Sequence, residues 1–372
     1  MMGGKLALAG MALWLSGCGA LEAVPVFIGT DGKGNAIFRA EFNEKTGELS
    51  APAKVADYQA PGFLALHPQK PILYSIGSPH SAFADRSGSV AGFAIGADHS
   101  LSFLGEASSG GRGPCHLQVD ASGKFLGVAN YADGSVATVA IDAMGAPSGD
   151  PQVQQNDGSG PTARQKGPHA HGAYFNAAND RLIVPDLGAD KLLVYRFDPA
   201  SGALTPAAPL ATPPGAGPRH LALHPKLPFG YVINELDNTV GVYTFADGEA
   251  VFTPVETQPT LPGDFKGPNT TAEIEIHPNG KFLYASNRGH DSIVAWAIDQ
   301  ASGKLTIIGR EPSGGKTPRH FAIDPSGHFL LAANQASGDI QVLAIHPETG
   351  ALSTTPHKIQ LPGPICLLFY SR

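Results

Sequence analysis

The sequence predicts an all-β protein, a seven-bladed β-propeller whose N- and C-terminal strands share one blade. Three observations predict it: a long internal repeat, apolar/polar alternation inside every copy, and two termini that are incomplete in complementary ways. The clearest copy begins at Pro218 and reads PRHLALHPKLPFGYVINELDNTVGVYTF. With Pro225 as origin, a turn residue is followed nine residues later by a small or amide residue. The same step joins Pro68 to Gly77, Ala121 to Asn130, Ala177 to Asp186, Pro278 to Asn287 and Pro325 to Asn334. The copies lie roughly fifty residues apart, the period of a propeller blade or a solenoid unit.

Each copy carries the same order of elements. An apolar strand ends in HP, DP or DA, a tight turn follows, and a second strand such as KFLYASN or KFLGVAN comes next. A third, alternating strand (SIVAWAI, SVATVAI, TVGVYTF, DIQVLAI) precedes a looser outer one. Period-two alternation with turn residues at each gap reads as strand throughout. After Cys18, VPVFIGT and AIFRAEF match the later strands of a unit, whereas the C-terminal PGPICLLFYSR matches an inner strand alone. The two ends therefore complete one blade, which makes six units plus one and leaves no open seam. A β-solenoid has shorter coils and no need of complementary ends. The longer polar loops near 154–166 and 258–268 are expected to run over one face of the disc.

Composition agrees with one cooperative repeat array rather than several domains. Apolar residues make up 42% of 372, enough for a sizeable core, and 46 Gly with 32 Pro suit many tight turns. A formal charge of −7 and the lack of any basic run argue against a nucleic-acid partner.

The first residues differ from the rest. MMGGK is a short basic start, LALAGMALWL is an apolar run too short to span a bilayer, and LSGC closes it. Residues 1–17 are expected to be a lipoprotein-type signal peptide, with Cys18 lipidated, 18–24 a tether and 25–372 the propeller. The ending resembles a bacterial lipobox, and the absence of Asp after Cys18 points to the outer membrane. The expected location is extracytoplasmic, periplasm-facing, with the membrane reached only through the Cys18 lipid. Cys115 and Cys366 fall in units that are not neighbours and are expected to be buried free thiols.

Two register columns should line one mouth of the central channel. Six residues before the origin stand Gly62, Cys115, His171, Arg219, Ala272 and Arg319; ten after it stand Ser78, Tyr131, Leu187, Glu235, Arg288 and Gln335. Structural positions tend to repeat one residue type, and these vary. They place His, Arg, Glu and Arg on three consecutive blades, a convergent polar cluster of the kind a site needs. His116, His169, His220 and His320 fall near the same mouth as candidate substrate-binding residues, and so does Arg319. His116, His220 and His320 also repeat beside a Pro-containing step in register, as inter-blade hydrogen-bonding residues would. Arg219, Glu235 and Arg288 also fit a structural ion-pair network, and Arg319 either a second anion clamp or a structural residue. No His or Cys spacing of the usual metal-site kind appears, so no metal is expected.

The segments PCHLQVDASGKFLGVANY, GPHAHGAYF, GPRHLALHP, VINELDN and SNRGHDSI resemble the lactonase family of seven-bladed propellers, which includes propeller-type 6-phosphogluconolactonases and carboxymuconate-lactonising enzymes. The resemblance runs from about Phe27 to Phe369. It implies a catalytic set of His171, Arg219, Glu235 and Arg288, and hydrolysis of a small-molecule sugar δ-lactone without metal or organic cofactor; a monomer is expected. His171 would be general base, Arg219 and Arg288 would hold an oxyanion, carboxylate or phosphate, and Glu235 would orient a neighbour or return a proton. A muconate-type lactonising cycloisomerase and a non-catalytic envelope binding module are the alternatives. An extracytoplasmic enzyme is expected to meet unphosphorylated gluconolactone or a related lactone.

Overall fold

The computed structural model describes residues 23–371 apart from 80–82, 84–86, 247 and 249. The expected signal peptide and Cys18 lie outside the described residues. The described residues form seven antiparallel sheets. Numbered in chain order, blades 1 to 6 span 64–108, 114–155, 174–211, 218–259, 270–312 and 318–360. Blade 7 joins the ends: Pro364–Phe369 is its innermost strand, followed outward by Ala23–Thr30, Ala36–Asn43 and Ala53–Asp57. Val26 pairs with Phe369 and Ile28 with Leu367, so the ends close the ring by a continuous ladder. The first strand starts at Ala23, slightly before the boundary expected at residue 25.

The core lies between blades rather than at one centre. Each cluster of buried apolar residues spans two neighbours; between blades 4 and 5, Tyr231 and Ile233 pack on Leu283, Ala285 and Trp296. Strands such as Phe229–Asn234 are buried along their whole length because both faces of the sheet are covered. Each fully buried large apolar side chain contributes about 1.5–3 kcal/mol. Polar latches repeat with the blades. The HP histidines His67, His224 and His277 place Nε2 3.2, 2.9 and 2.7 Å from the Gly123, Gly280 and Gly327 carbonyls of the next blade. The hydroxyls of Tyr74, Tyr231 and Tyr284 donate to the Gly145, Gly303 and Gly350 carbonyls.

Blade 3 departs from the pattern. Its inner strand shrinks to Tyr174–Phe175 and its outer edge is split into Leu204–Pro206 and Leu210–Ala211. Pro206 and Pro209 bring no N–H to that edge. At Gly172 a Cβ would meet the Tyr174 ring at 2.4 Å, so glycine makes room for that ring beside the channel.

Candidate active site

The two sequence columns have a structural cause. In blades 2, 4 and 6 the inner strand carries a bulge: Pro218 pairs with Asn234, yet His220 pairs with Ile233, which leaves Arg219 without a partner. Cys115 and Arg319 occupy the same extra position. A bulge re-aims its side chain, and here it turns the residue six before the origin toward the mouth. The residue ten after the origin leaves the second strand beside it, held by Glu235 N–H to Gly217 O at 2.8 Å, with Tyr131 on Gly113 and Gln335 on Thr317 alike. Gly217 suits this place, with φ +64° and Leu236 2.6 Å from where a Cβ would stand, although blade 6 holds Thr317 there at φ 62°.

Glu235 is the hub. Its Oε2 lies 2.9 Å from Arg288 Nη2 and 3.1 Å from Arg219 Nε, and its Oε1 accepts from Arg164 Nη1 at 2.6 Å. Burial alone would raise its pKa, but Arg288, Arg219 and Arg164 overcome that and hold it at about 2. It is ionised at any working pH. The geometry therefore favours the orienting part of its expected role over the proton-returning part. Arg219 Nη1 also donates to Ala272 O at 2.6 Å, and Arg288 Nη2 to Thr271 O at 2.7 Å. Burial lowers Arg288 to about 10, still charged at neutral pH.

His171 shares this cavity, about 370 Å³ in volume, with Cys115, Tyr131, Arg164, Glu235, Arg288 and Arg319. Its Nε2 is 3.9 Å from Glu235 Oε2. Burial, then the charges of Arg219, His220 and Arg319, push its pKa well below the usual range, so the ring is neutral and able to accept a proton. Cys115 corrects an expectation: it is free but only half-buried, because the bulge turns it to the mouth, whereas Cys366 is buried. The Cys115 thiol sits 3.8 Å from His171 Nδ1, and burial raises it to about 12, which favours the thiol over the thiolate.

A second chamber of about 340 Å³ adjoins the first and shares Cys115 and Arg319 with it. Arg219, His220, Glu273, His320, Asp31 and Gln335 line it. Among the described residues Arg319 makes no ion pair. His116 and His169 do not line either chamber. His116 is buried between Phe63 and Tyr174, with Nδ1 accepting from Ala173 N–H at 3.2 Å. The His169 ring stacks on Tyr131 at 4.5 Å and its Nδ1 lies 2.7 Å from the Tyr131 carbonyl. One packs the channel and the other backs Tyr131, outside the lining of both chambers. His116 and His320 bond across blades as their register suggested, His320 through Nδ1 to Leu367 N–H.

A family model described as lactonase, 7-bladed beta-propeller, matches residues 25–369. The chain belongs to that family. The chain is 34% identical over 346 residues to the 6-phosphogluconolactonase of Bacillus subtilis, with 92% of this chain and 97% of that one covered. It is 36% identical to the 6-phosphogluconolactonase of Formosa agariphila, covering 93% and 99%. Among solved structures, the periplasmic gluconolactonase of Pseudomonas aeruginosa superposes with a TM-score of 0.88 at 30% identity, over 94% of this chain and 99% of that one.

Three residues of this candidate site are not singled out by the sequence alone. Arg164 sits in the loop expected to cross the face, where no register marks it, and is fastened there by Gln165, whose Nε2 donates to Leu187 O and Asp190 Oδ1. Tyr131 stood in the right column without being singled out; its hydroxyl accepts from Arg164 Nη2 at 2.8 Å. Glu273 lies five residues before the origin, a column whose histidines drew attention while its single carboxylate did not.

Proposed function

We propose that the protein is a lactonase that hydrolyses a sugar δ-lactone. The observation that carries this reading is one cavity that a neutral imidazole, His171, shares with three guanidiniums, Arg164, Arg288 and Arg319. Water attacks the lactone carbonyl carbon while His171 takes its proton, and the new oxyanion lies against the arginines. That negative charge offsets the field that depresses His171, so the ring becomes more basic as the transition state forms. Collapse of the intermediate breaks the ring C–O bond, and the imidazolium returns its proton to the leaving alkoxide. The product is the open hydroxy acid. Glu235 stays ionised throughout and fixes Arg219 and Arg288.

The substrate we favour is an unphosphorylated gluconolactone met outside the cytoplasm, with residues 1–17 acting as signal peptide and Cys18 as lipid anchor. The sequence of the first eighteen residues and the name of the Pseudomonas relative support it. pH-stat hydrolysis of glucono-δ-lactone and 6-phosphogluconolactone, with spontaneous opening subtracted, tests the activity. His171→Ala is expected to lower turnover on the order of 10²–10³-fold. Wild-type rates equal to buffer on both lactones would rule the reading out. Mass spectrometry of the membrane fraction tests the anchor: an unmodified N-terminus upstream of Cys18 would refute it.

A further inference from the structure

Below Arg219 lies a buried chain of polar groups that the proposed reaction does not use. The Glu273 side chain is buried at the channel centre in blade 5, at the register position that holds Phe63, His116, His220 and His320 in other blades. Ladder pairing lapses between Thr271 and Ile274, and Glu273 N–H turns to Ser286 Oγ at 2.9 Å. Its Oε1 accepts the Ile274 N–H at 3.1 Å and lies 2.9 Å from His220 Nδ1. On the other side of that ring, His220 Nε2 lies 3.3 Å from Arg219 Nη1.

These contacts fix a proton. A carboxylate can only accept, so to bond Glu273 Oε1, which already takes the Ile274 N–H, His220 Nδ1 must carry a hydrogen. A neutral imidazole has one N–H, so His220 Nε2 is left as a lone pair. Arg219 can only donate, and Nε2 is what it finds. Burial and the charges of Arg219 and Arg319 keep His220 neutral, in keeping with this tautomer. Were the proton on Nε2 instead, two donors would face each other at 3.3 Å and the guanidinium would be pushed off its place.

We propose that Glu273 is a positioning residue for the lactonase site: it holds the His220 proton on Nδ1, so that His220 Nε2 fastens the Arg219 guanidinium between Ala272 O and Glu235. Arg219 Nη1 is taken up by Ala272 O and His220 Nε2, and Nε stands 3.1 Å from Glu235 Oε2 as an ion pair without a hydrogen bond. His320 Nε2, 3.4 Å from Glu273 Oε2, faces the other end of the same carboxylate. Its Nδ1 accepts the Leu367 N–H, so its own hydrogen is on Nε2, near Glu273 Oε2 but not bonded to it. The assignment rests on the lactonase reading above, and its test separates the two.

Two variants divide the acceptor from the charge. Glu273→Met keeps the length but removes the acceptor, freeing His220 to change tautomer. Glu273→Gln keeps an oxygen beside Ile274 N–H and His220 Nδ1. Misplacing Arg219 predicts that E273M lowers kcat about 10- to 100-fold with KM within about threefold, while E273Q stays within about fivefold of wild type. In an Arg219→Ala background E273M is expected to cost nothing further, since it acts through Arg219. Histidine ¹⁵N NMR, with His220 assigned from a His220→Gln spectrum, should show Nδ1 protonated in wild type and E273Q but not uniformly in E273M. A wild-type His220 protonated on Nε2 would overturn the proposal, as would E273Q being as impaired as E273M, or E273M and R219A effects that add. A wild type that turns over no lactone would instead sink the functional reading, and the NMR measurement would still decide whether Glu273 sets the tautomer.

Discussion

Blades 4 and 6 begin with the same tripeptide in the same bulge, Pro218–Arg219–His220 and Pro318–Arg319–His320, yet their arginines live differently. Arg219 is 3% exposed and ion-paired to Glu235. Arg319 is half-buried and unpaired among the described residues. The cause is the residue that leaves the second strand beside each: Glu235 in blade 4, Gln335 in blade 6. Gln335 turns its amide to Asp31 Oδ2 at 3.0 Å instead of to the arginine. One acid-for-amide difference thus makes one guanidinium a fixed part of the wall and leaves the other ready for an anion. The repeat builds equivalent places, and the departures from it assign the work.

Making blade 4 resemble blade 6 should have the largest effect. Glu235→Gln leaves Arg219, Arg288 and Arg164 converging on a neutral amide in a buried site. Breaking a buried ion pair from one side costs about 3–5 kcal/mol of stability. Turnover of the preferred lactone should fall on the order of 10²–10³-fold, because both wall arginines lose their anchor. Urea unfolding and pH-stat rates check the two halves; a variant as stable and active as wild type would mean that the difference between the blades is idle.

That difference was legible as chemistry but not as geometry. The step of nine residues and the two columns located Arg219, Glu235, Arg288 and Arg319 because bulge and strand exit repeat with the blade. The closure by Pro364–Phe369 was legible because its complement is missing at the start of the chain. Arg164 was not, since a loop side chain carries no register and reaches Glu235 only through the fold of 156–169. Nor was the incomplete burial of Cys115: the bulge that turns it to the mouth is a feature of strand pairing, not of composition. His169 looked like a ligand residue because it lies near the mouth in sequence, and its stacking on Tyr131 is a tertiary fact.

Acid should erase part of the contrast. The folded pKa of Glu235, about 2, lies below its ordinary 4.5, so its contribution is complete above pH 4.5 and is lost as pH falls toward 2. That contribution is about 3 kcal/mol in full, with more than half of it gone by pH 3. His116, His171 and His220, buried neutral with pKa values depressed by burial first, add a decline that begins below their ordinary 6.5. Glu235→Gln lacks only the carboxylate part. The stability gap between wild type and E235Q in urea should therefore narrow between pH 6 and pH 3, and a constant gap would show that Glu235 is not held ionised by its arginines.

The two arginines should separate by what they damage. Arg319→Ala removes an unpaired cation shared by both chambers, so kcat/KM is expected to fall about 10²-fold, equivalent to about 2.7 kcal/mol of transition-state binding, with Tm nearly unchanged. Arg219→Ala should lower both, because it also strips a partner from Glu235 and from His220 Nε2. Equal loss of Tm in the two variants would show that Arg319 has a structural partner after all.

The smallest effect is expected at the rim. Tyr131→Phe deletes the hydroxyl that accepts from Arg164 Nη2 and nothing else. The Arg164 side chain is 46% exposed, so water can take the lost bond, while its Nη1 keeps Glu235 Oε1. The ring still stacks on His169, and the backbone carbonyl that faces His169 Nδ1 is untouched. Activity should stay within about threefold of wild type, because a solvent-exposed bond between protein groups contributes little to a barrier. A loss of about thirtyfold or more, some 2 kcal/mol, is beyond what such a bond can supply. It would put the hydroxyl on the substrate itself, and the locked half of the site would then include a direct contact from blade 2 that the comparison of blades 4 and 6 leaves out.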